Sequence, residues 1–242
     1  MIREISSAYP RRGEAKPPLF AVARSRDVVP SPDAAWGRLS AQEEDRCSSL
    51  RRSEDRLGFL AARTLTRGLL CLWDTRVSDF AAWTFVQRCS RCGGPHGRPS
   101  VLGRGDLWVS WAHTNGHVCA VVGAQHVGID IERVSVDELP LPPGAVPSSS
   151  GADPERWLRW TRAEALVKCL GIDLEEALRL SLDGPPCPEG RPLRQMAPDV
   201  ISDVVLTDAQ DQQDAWVVSV ASNTLPERIH DPAAPARDHG GH

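Results

Sequence analysis

Along Val127–Val134, VGIDIERV, apolar and polar residues alternate with a period of two, the pattern of a β-strand with one face buried. Val127, Ile129 and Ile131 are expected to face a core, and Gly128, Asp130 and Glu132 to face the other way. Two carboxylates then share a strand face about 7 Å apart at Cα, where like charges repel unless a cation or basic group lies between them. A different period appears at Pro154–Leu170. There Trp160, Glu164 and Lys168 fall at i, i+4 and i+8 and form one stripe of a helix. Leu158, Ala165, Leu166 and Cys169 cover a second side that is expected to pack. Asp153 with Pro154 is a helix start, and Gly171 a helix stop.

The same reading extends to the rest of the chain. Leu19–Ala23 is a short first strand, and Leu39–Leu50 holds a short helix capped by Ser40. Leu57, Leu60, Ala61, Leu65, Leu69 and Leu72 mark the apolar face of a longer helix capped by Ser53. Gly68 within it costs about 1 kcal/mol relative to alanine. Leu107–Trp111, Val118–Val122 and Val127–Glu132 form a meander with a turn at Asn115-Gly116. Val204–Leu206 and Trp216–Ala221 are further strands. Pro30, Pro32 and Asp33 mark a loop, Cys89–Pro99 a turn-rich loop, and 137–153 a Pro/Ser/Gly-rich loop or linker. Residues 1–17 are expected to be loose and the polar tail from Asn223 disordered. No internal repeat is present.

A chain of 242 residues makes one large domain or two small ones. Its net charge of −4 argues against a general nucleic-acid binder, whose footprint is basic. No apolar run approaches membrane-spanning length, and the N-terminal MIREISSAYPRRGEAK has no apolar secretory core. The seven irregularly spaced cysteines do not form a disulfide framework. A cytoplasmic protein is expected. Of the 28 lysines and arginines, only Lys16 and Lys168 are lysines. Where arginine is the default cation, a lysine inside a motif points to a need for a compact point charge.

Taken together, Asp130, Glu132, Glu164 and Lys168 suggest a specific chemistry. An all-oxygen donor set suits Mg²⁺, which keeps waters and completes its shell with substrate phosphates. A lysine beside it neutralises charge on a phosphoryl group in the transition state. The set therefore fits reaction at a diphosphate better than metal storage. A second cluster, Cys89-x-x-Cys92 with His96, hints at zinc. A structural zinc site takes four ligands, and neither a second CxxC nor an HxxxH lies nearby.

GIDIE at 128–132, followed by W-T-x-x-E-A-x-x-K at 160–168, resembles the signature of the Sfp-type 4′-phosphopantetheinyl transferases. Gly97-Arg98-Pro99 stands where that family has G-K/R-P, and Trp111–Gly116 where it has S-H-S-x-G. The leucine-rich helix with FLAAR at 59–63 is also similar, so the resemblance spans about Leu39 to Gly171.

The resemblance implies an α+β fold of two similar halves, each a small antiparallel sheet packed with helices, with a ligand cleft between them. The halves would be 18–126, on the coenzyme A side, and 127–222, carrying the metal and catalytic motifs. It implies transfer of the phosphopantetheine arm of coenzyme A to a serine of an apo acyl or peptidyl carrier protein, with release of adenosine 3′,5′-bisphosphate. Asp130, Glu132 and Glu164 would hold Mg²⁺; Glu164 would also deprotonate the serine, and Lys168 would serve the leaving phosphate. Arg46, Arg98 and His113 match positions that grip the 3′-phosphate, Thr114 adds a hydrogen bond, and the Gly97–Pro99 backbone lies along the adenine. A monomer without nucleic-acid or membrane partners is expected, and the carrier's pathway (fatty acid, polyketide or nonribosomal peptide) stays open.

The chain departs from the family pattern at several positions. Ala163 replaces the usual lysine before the motif glutamate, Ala112 replaces the first serine of S-H-S, and Asp173 stands where a second glycine often follows Gly171. The stretch between Glu132 and Trp160, part of the carrier-docking surface in relatives, is proline-rich and shorter than usual. Two rivals remain: a non-catalytic coenzyme A or carrier-protein binder using the same residues, and a zinc-knuckle nucleic-acid module on Cys89–His96.

Overall fold

The computed structural model describes residues 16–29, 39–89, 92–135, 154–196 and 203–230. The loop at Pro30–Asp33, the linker 137–153 with the helix start at Asp153, the segment before Lys16 and the tail beyond His230 lie outside the described residues. The fold is mixed α+β, with two sheets that are antiparallel apart from one short parallel pairing.

The first sheet has the order β10-β1-β5-β4-β3-β2. Its strands are β1 (Leu19–Arg24), β2 (Phe85–Gln87), β3 (Pro99–Val101), β4 (Trp108–Thr114), β5 (His117–Gly123) and β10 (Glu227–Arg228). The second has the order β6-β9-β8-β7, built from β6 (Val127–Arg133), β7 (Arg191–Pro192), β8 (Val205–Asp211) and β9 (Trp216–Ser222). The described helices are α1 (Ser25–Val28), α2 (Ala41–Ser49), α3 (Ser53–Trp73), α4 (Pro154–Leu170), α5 (Leu174–Arg179) and α6 (Leu193–Met196).

Strand alternation assigns the cores. On β5, Val118, Ala120 and Val122 pack with Leu60, Leu65 and Leu69 of α3. The intervening Cys119 and Val121 join Phe20 and, from the second sheet, Val127, Ile129, Ile131, Val218 and Val220. The other face of that sheet packs Leu206, Val217 and Ala221 on Leu158, Ala165 and Leu166 of α4. Each long helix thus covers one sheet face, and the remaining faces share an inner core. Val127, Ile129 and Ile131 do turn into a core; the opposite face of β6, however, meets α4 rather than open water. The helix rests on the strand backbone at Gly128, where a Cβ would stand 2.0 Å from the Ala165 carbonyl oxygen and 2.6 Å from the Cys169 amide nitrogen.

Several local expectations change. β4 runs on to Thr114, so His113 and Thr114 are strand residues next to the tight turn, where Asn115 and Gly116 have φ of 35° and 82°. Ser40 does cap α2, in a full capping box with Glu43, whereas Arg52, without a side-chain cap, precedes α3. The expected disordered tail starts too early in the sequence reading. Glu227 and Arg228 pair with Leu19 and Phe20, and Ile229 packs on the first core. A two-residue strand carries too little periodicity to announce itself. No helix among the described residues is long and apolar enough to cross a membrane.

Candidate active site

The wall formed by α2 and α3 starts from a cap. The Glu43 carboxylate accepts from the Ser40 amide at 2.8 Å and from the buried Arg67 guanidinium at 2.7 Å. One acid therefore closes the start of α2 and ties it to α3, and the next turn carries Arg46 to the rim of a cavity of about 460 Å³. Arg63 of α3 lies with its guanidinium 3.4 Å from the Phe59 ring centroid and 4.8 Å from that of Trp111. It donates to the Phe59 carbonyl and to Gln87 Oε1. Burial disfavours its charge and Glu43 opposes that effect; a guanidinium stays protonated at neutral pH even so.

His113 reaches over α3 from β4 because residue 58 is glycine: a Cβ there would stand 2.5 Å from the imidazole Cδ2. Although His113 is open to solvent on one side, the protein around the rest of its ring lowers its pKa, and the charge of Arg63 lowers it further. Arg46, Asp55, Phe59, Arg63, Trp111 and His113 face Asp130 and Lys168 across the same cavity.

The acidic side lies between β6 and α4. Lys168 Nζ donates to Asp130 Oδ1 at 2.6 Å and to the Ile129 carbonyl at 3.1 Å. Burial raises the Asp130 carboxyl, partly offset by Lys168. Burial works against the Lys168 ammonium, but the attraction and hydrogen bond of Asp130 lift its pKa above the ordinary value. Glu132, which accepts from Thr114 Oγ1 at 3.1 Å, is pushed up to about 7 by burial and then by the charge of Asp130. Burial also raises Glu164, with Lys168 pulling the other way.

Three acids here face one lysine. Asp130 Oδ2 is buried without a hydrogen-bond partner, a costly state for a carboxylate oxygen. A hard divalent cation would answer both facts, and an all-oxygen donor set is the kind that suits Mg²⁺. Among the described residues, however, the three-ligand group whose donor atoms all lie within 4.8 Å of one another is Cys89, Cys92 and His96, not the three acids.

Not every expected residue reaches the cavity. Arg98 Nη2 donates to the Cys169 carbonyl near the end of α4 at 2.8 Å, and its guanidinium stacks 4.5 Å from the Trp108 ring centroid. A cation at a helix C-terminus gains from the macrodipole, which accounts for this placement. The Gly97 carbonyl accepts from Gln87 Nε2, and Pro99 pairs with Gln87 in the β2–β3 ladder. Thr114 serves Glu132 rather than the Arg46–His113 wall.

Sequence reasoning passed over Gly58, and gave no role in the site to Phe59, Arg63 and Trp111 although they fall in its FLAAR and Trp111–Gly116 stretches. The available signals were a glycine inside a helix and an arginine on its apolar face. It also left Thr161 and Arg162 of the W-T-x-x-E stretch without roles. Both are structural: Thr161 Oγ1 shares a hydrogen bond with Ser219 Oγ at 2.9 Å. Arg162 pairs with Asp208 at 2.7 Å, both side chains almost wholly buried, and also donates to the carbonyls of Leu182, Gly184 and Pro185.

No protein-family model matches the chain, and no curated protein matches it. The functional reading therefore rests on its own residues and their geometry.

Proposed function

We propose that this chain is a Mg²⁺-dependent 4′-phosphopantetheinyl transferase that moves the phosphopantetheine arm of coenzyme A onto a serine of an apo carrier protein. One observation carries the reading. A single cavity has arginines, a histidine and aromatic rings on one wall and the Asp130–Lys168 pair on the other, with Glu132 and Glu164 outside its lining. That is the charge layout for a nucleotide phosphate at one end and a reacting diphosphate at the other. In this reading the two sheet–helix units are the two similar halves and the cavity is the coenzyme A cleft.

Arg46 and His113 bind the 3′-phosphate, with Arg63 adding positive potential behind them. Arg98 joins only by releasing the Cys169 carbonyl. Asp130, Glu132 and Glu164 would hold Mg²⁺, which supplies charge neutralisation at the diphosphate when bound. Glu164 takes the proton of the carrier serine, a task for which its raised pKa suits it. The serine oxygen forms a bond to the β-phosphorus as the bond from that phosphorus to the leaving adenosine 3′,5′-bisphosphate breaks. An ammonium has three N–H donors, and Lys168 uses two on Asp130 and Ile129. Its third is left for the leaving phosphate oxygen.

A second reading, a non-catalytic coenzyme A binder, draws on the Asp130–Lys168 pair that closes on itself and on Ala163 in place of a lysine. Incubation of a panel of apo carrier proteins with coenzyme A, Mg²⁺ and the enzyme separates the two. A mass gain of one phosphopantetheine, lost in Asp130→Ala, supports the transferase. Coenzyme A binding by calorimetry with no mass gain on any carrier supports the binder. Neither transfer nor binding removes both.

A further inference from the structure

We propose that Cys89, Cys92 and His96 form a zinc site, distinct from the acidic cluster. They lie in the loop between β2 and β3, and their donor atoms all fall within 4.8 Å of one another. Cys92 Sγ stands 3.0 Å from His96 Nε2. Tetrahedral zinc with Zn–S of about 2.3 Å and Zn–N of about 2.0–2.1 Å sets sulfur and nitrogen about 3.6 Å apart. Opening that pair by about half an ångström, and drawing in by up to about 1 Å any pair near the 4.8 Å limit, admits the ion.

The backbone is already wound for this ligation. Gly93 N donates to the Cys89 carbonyl at 2.8 Å, and Cys89 N and His96 N donate to the Gly94 carbonyl at 2.9 Å each. Gly94 N donates to Cys92 Sγ at 3.4 Å. Gly93 and Gly97 take φ of 71° and 97°, and a Cβ at Gly97 would lie 3.2 Å from the Cys89 Cα. The turns at Gly93 and Gly97 thus accompany three donor atoms held within 4.8 Å of one another.

Little else is available to hold that shape. Among the described residues from Arg88 to Arg98, none belongs to the buried apolar clusters, and Cys92 and His96 are exposed. Ordering such a loop costs conformational entropy that buried apolar surface normally offsets; a metal clip supplies the offset instead. Two thiolates and an imidazole select a borderline-soft ion such as Zn²⁺ over Mg²⁺. Binding releases two thiol protons and changes no oxidation state. With three protein ligands, one fewer than a closed structural site, the fourth position is left to water. The clip would also stiffen Gln87, which bonds Gly97 at 2.7 Å and Arg63 at 3.2 Å, and so the frame that holds the cavity's buried arginine.

The test uses the full chain, expressed without a polyhistidine tag and purified under reducing conditions. Elemental analysis should give about one zinc per chain, falling at least about fivefold in Cys92→Ser and in His96→Ala. Cys187→Ser, away from this loop, should keep the full complement. Cobalt added to the reduced, metal-stripped wild type should give the visible bands of a tetrahedral ion and near-ultraviolet thiolate charge transfer. Because it uses the wild type alone, this arm stands even where a variant folds poorly. Absence of zinc together with no cobalt spectrum overturns the proposal. So does metal content unchanged in the Cys92→Ser/His96→Ala double variant. Neither readout depends on coenzyme A, so the site stands or falls apart from the transferase reading.

Discussion

At the residue scale, Lys168 is held by two acceptors. It sits between a carboxylate at 2.6 Å and a carbonyl at 3.1 Å, geometry that suits a compact ammonium and crowds a planar guanidinium. Lys168→Arg should lower kcat at least about tenfold, or about 1.4 kcal/mol of transition-state stabilisation. It is measured with saturating coenzyme A and Mg²⁺; near-wild-type turnover would leave the lysine without a chemical role. Glu132 gives a pH prediction. Its pKa is raised from the usual 4.5 to about 7 in the folded protein, so the folded state holds a proton that the unfolded state has lost. The associated stability is fully present below 4.5 and is lost as pH rises through about 7. In EDTA the melting temperature should fall across that window, and Glu132→Gln should flatten the fall. Mg²⁺ should raise the melting temperature more above the window than below it. The residue types of this site were readable in the chain. Their environment was not, because the raised pKa of Glu132 comes from burial and from a neighbour's charge.

At the element scale, two glycines decide how helices approach strands. Gly128 lets α4 touch β6, and a Cβ there meets helix backbone at 2.0 Å and 2.6 Å. Backbone cannot rotate away as a side chain can. Gly128→Ala should cost at least about 1–3 kcal/mol by overpacking and move Glu164 and Lys168 off Asp130, read by denaturant melts and by turnover. Gly58→Ala should behave differently. Alanine favours the α3 helix by about 0.8–1 kcal/mol, while its methyl meets the His113 ring at 2.5 Å. Stability should hold or rise while coenzyme A affinity falls several-fold; unchanged affinity would remove His113 from the binding wall. The alternation in VGIDIE announced the strand and the spacing in Trp160–Lys168 the helix. That the two touch at Gly128 was not visible in either, because one period describes one element and says nothing of its neighbour.

At the scale of the molecule, β10 adds an edge strand to the first sheet. Glu227 N donates to the Pro18 carbonyl and Ile229 N to the Phe20 carbonyl, each at 2.7 Å, and Ile229 packs on the core beside α3. Ending the chain at Ser222 should therefore lower stability by about 1–2 kcal/mol from the half-buried isoleucine, plus the lost ladder bonds, by urea melts against the full chain. No change would mean that β10 carries none of the fold's stability. The sequence by itself determined what is local to one element: the alternating core face of β6, the Ser40 cap of α2, the Asn115-Gly116 turn and the helix stop at Gly171. These depend on neighbours within a few residues, and periodicity records them. Only the tertiary structure decided what depends on chain segments far apart. It drew Arg98 to the end of α4, gave Thr114 to Glu132, buried Arg162 on Asp208, and set Arg63 between Phe59 and Trp111 beside the cavity. The physical reason is the same in each case: a cation or a hydroxyl goes where burial leaves an acceptor unpaired, and which acceptor that is depends on how the sheets and helices pack.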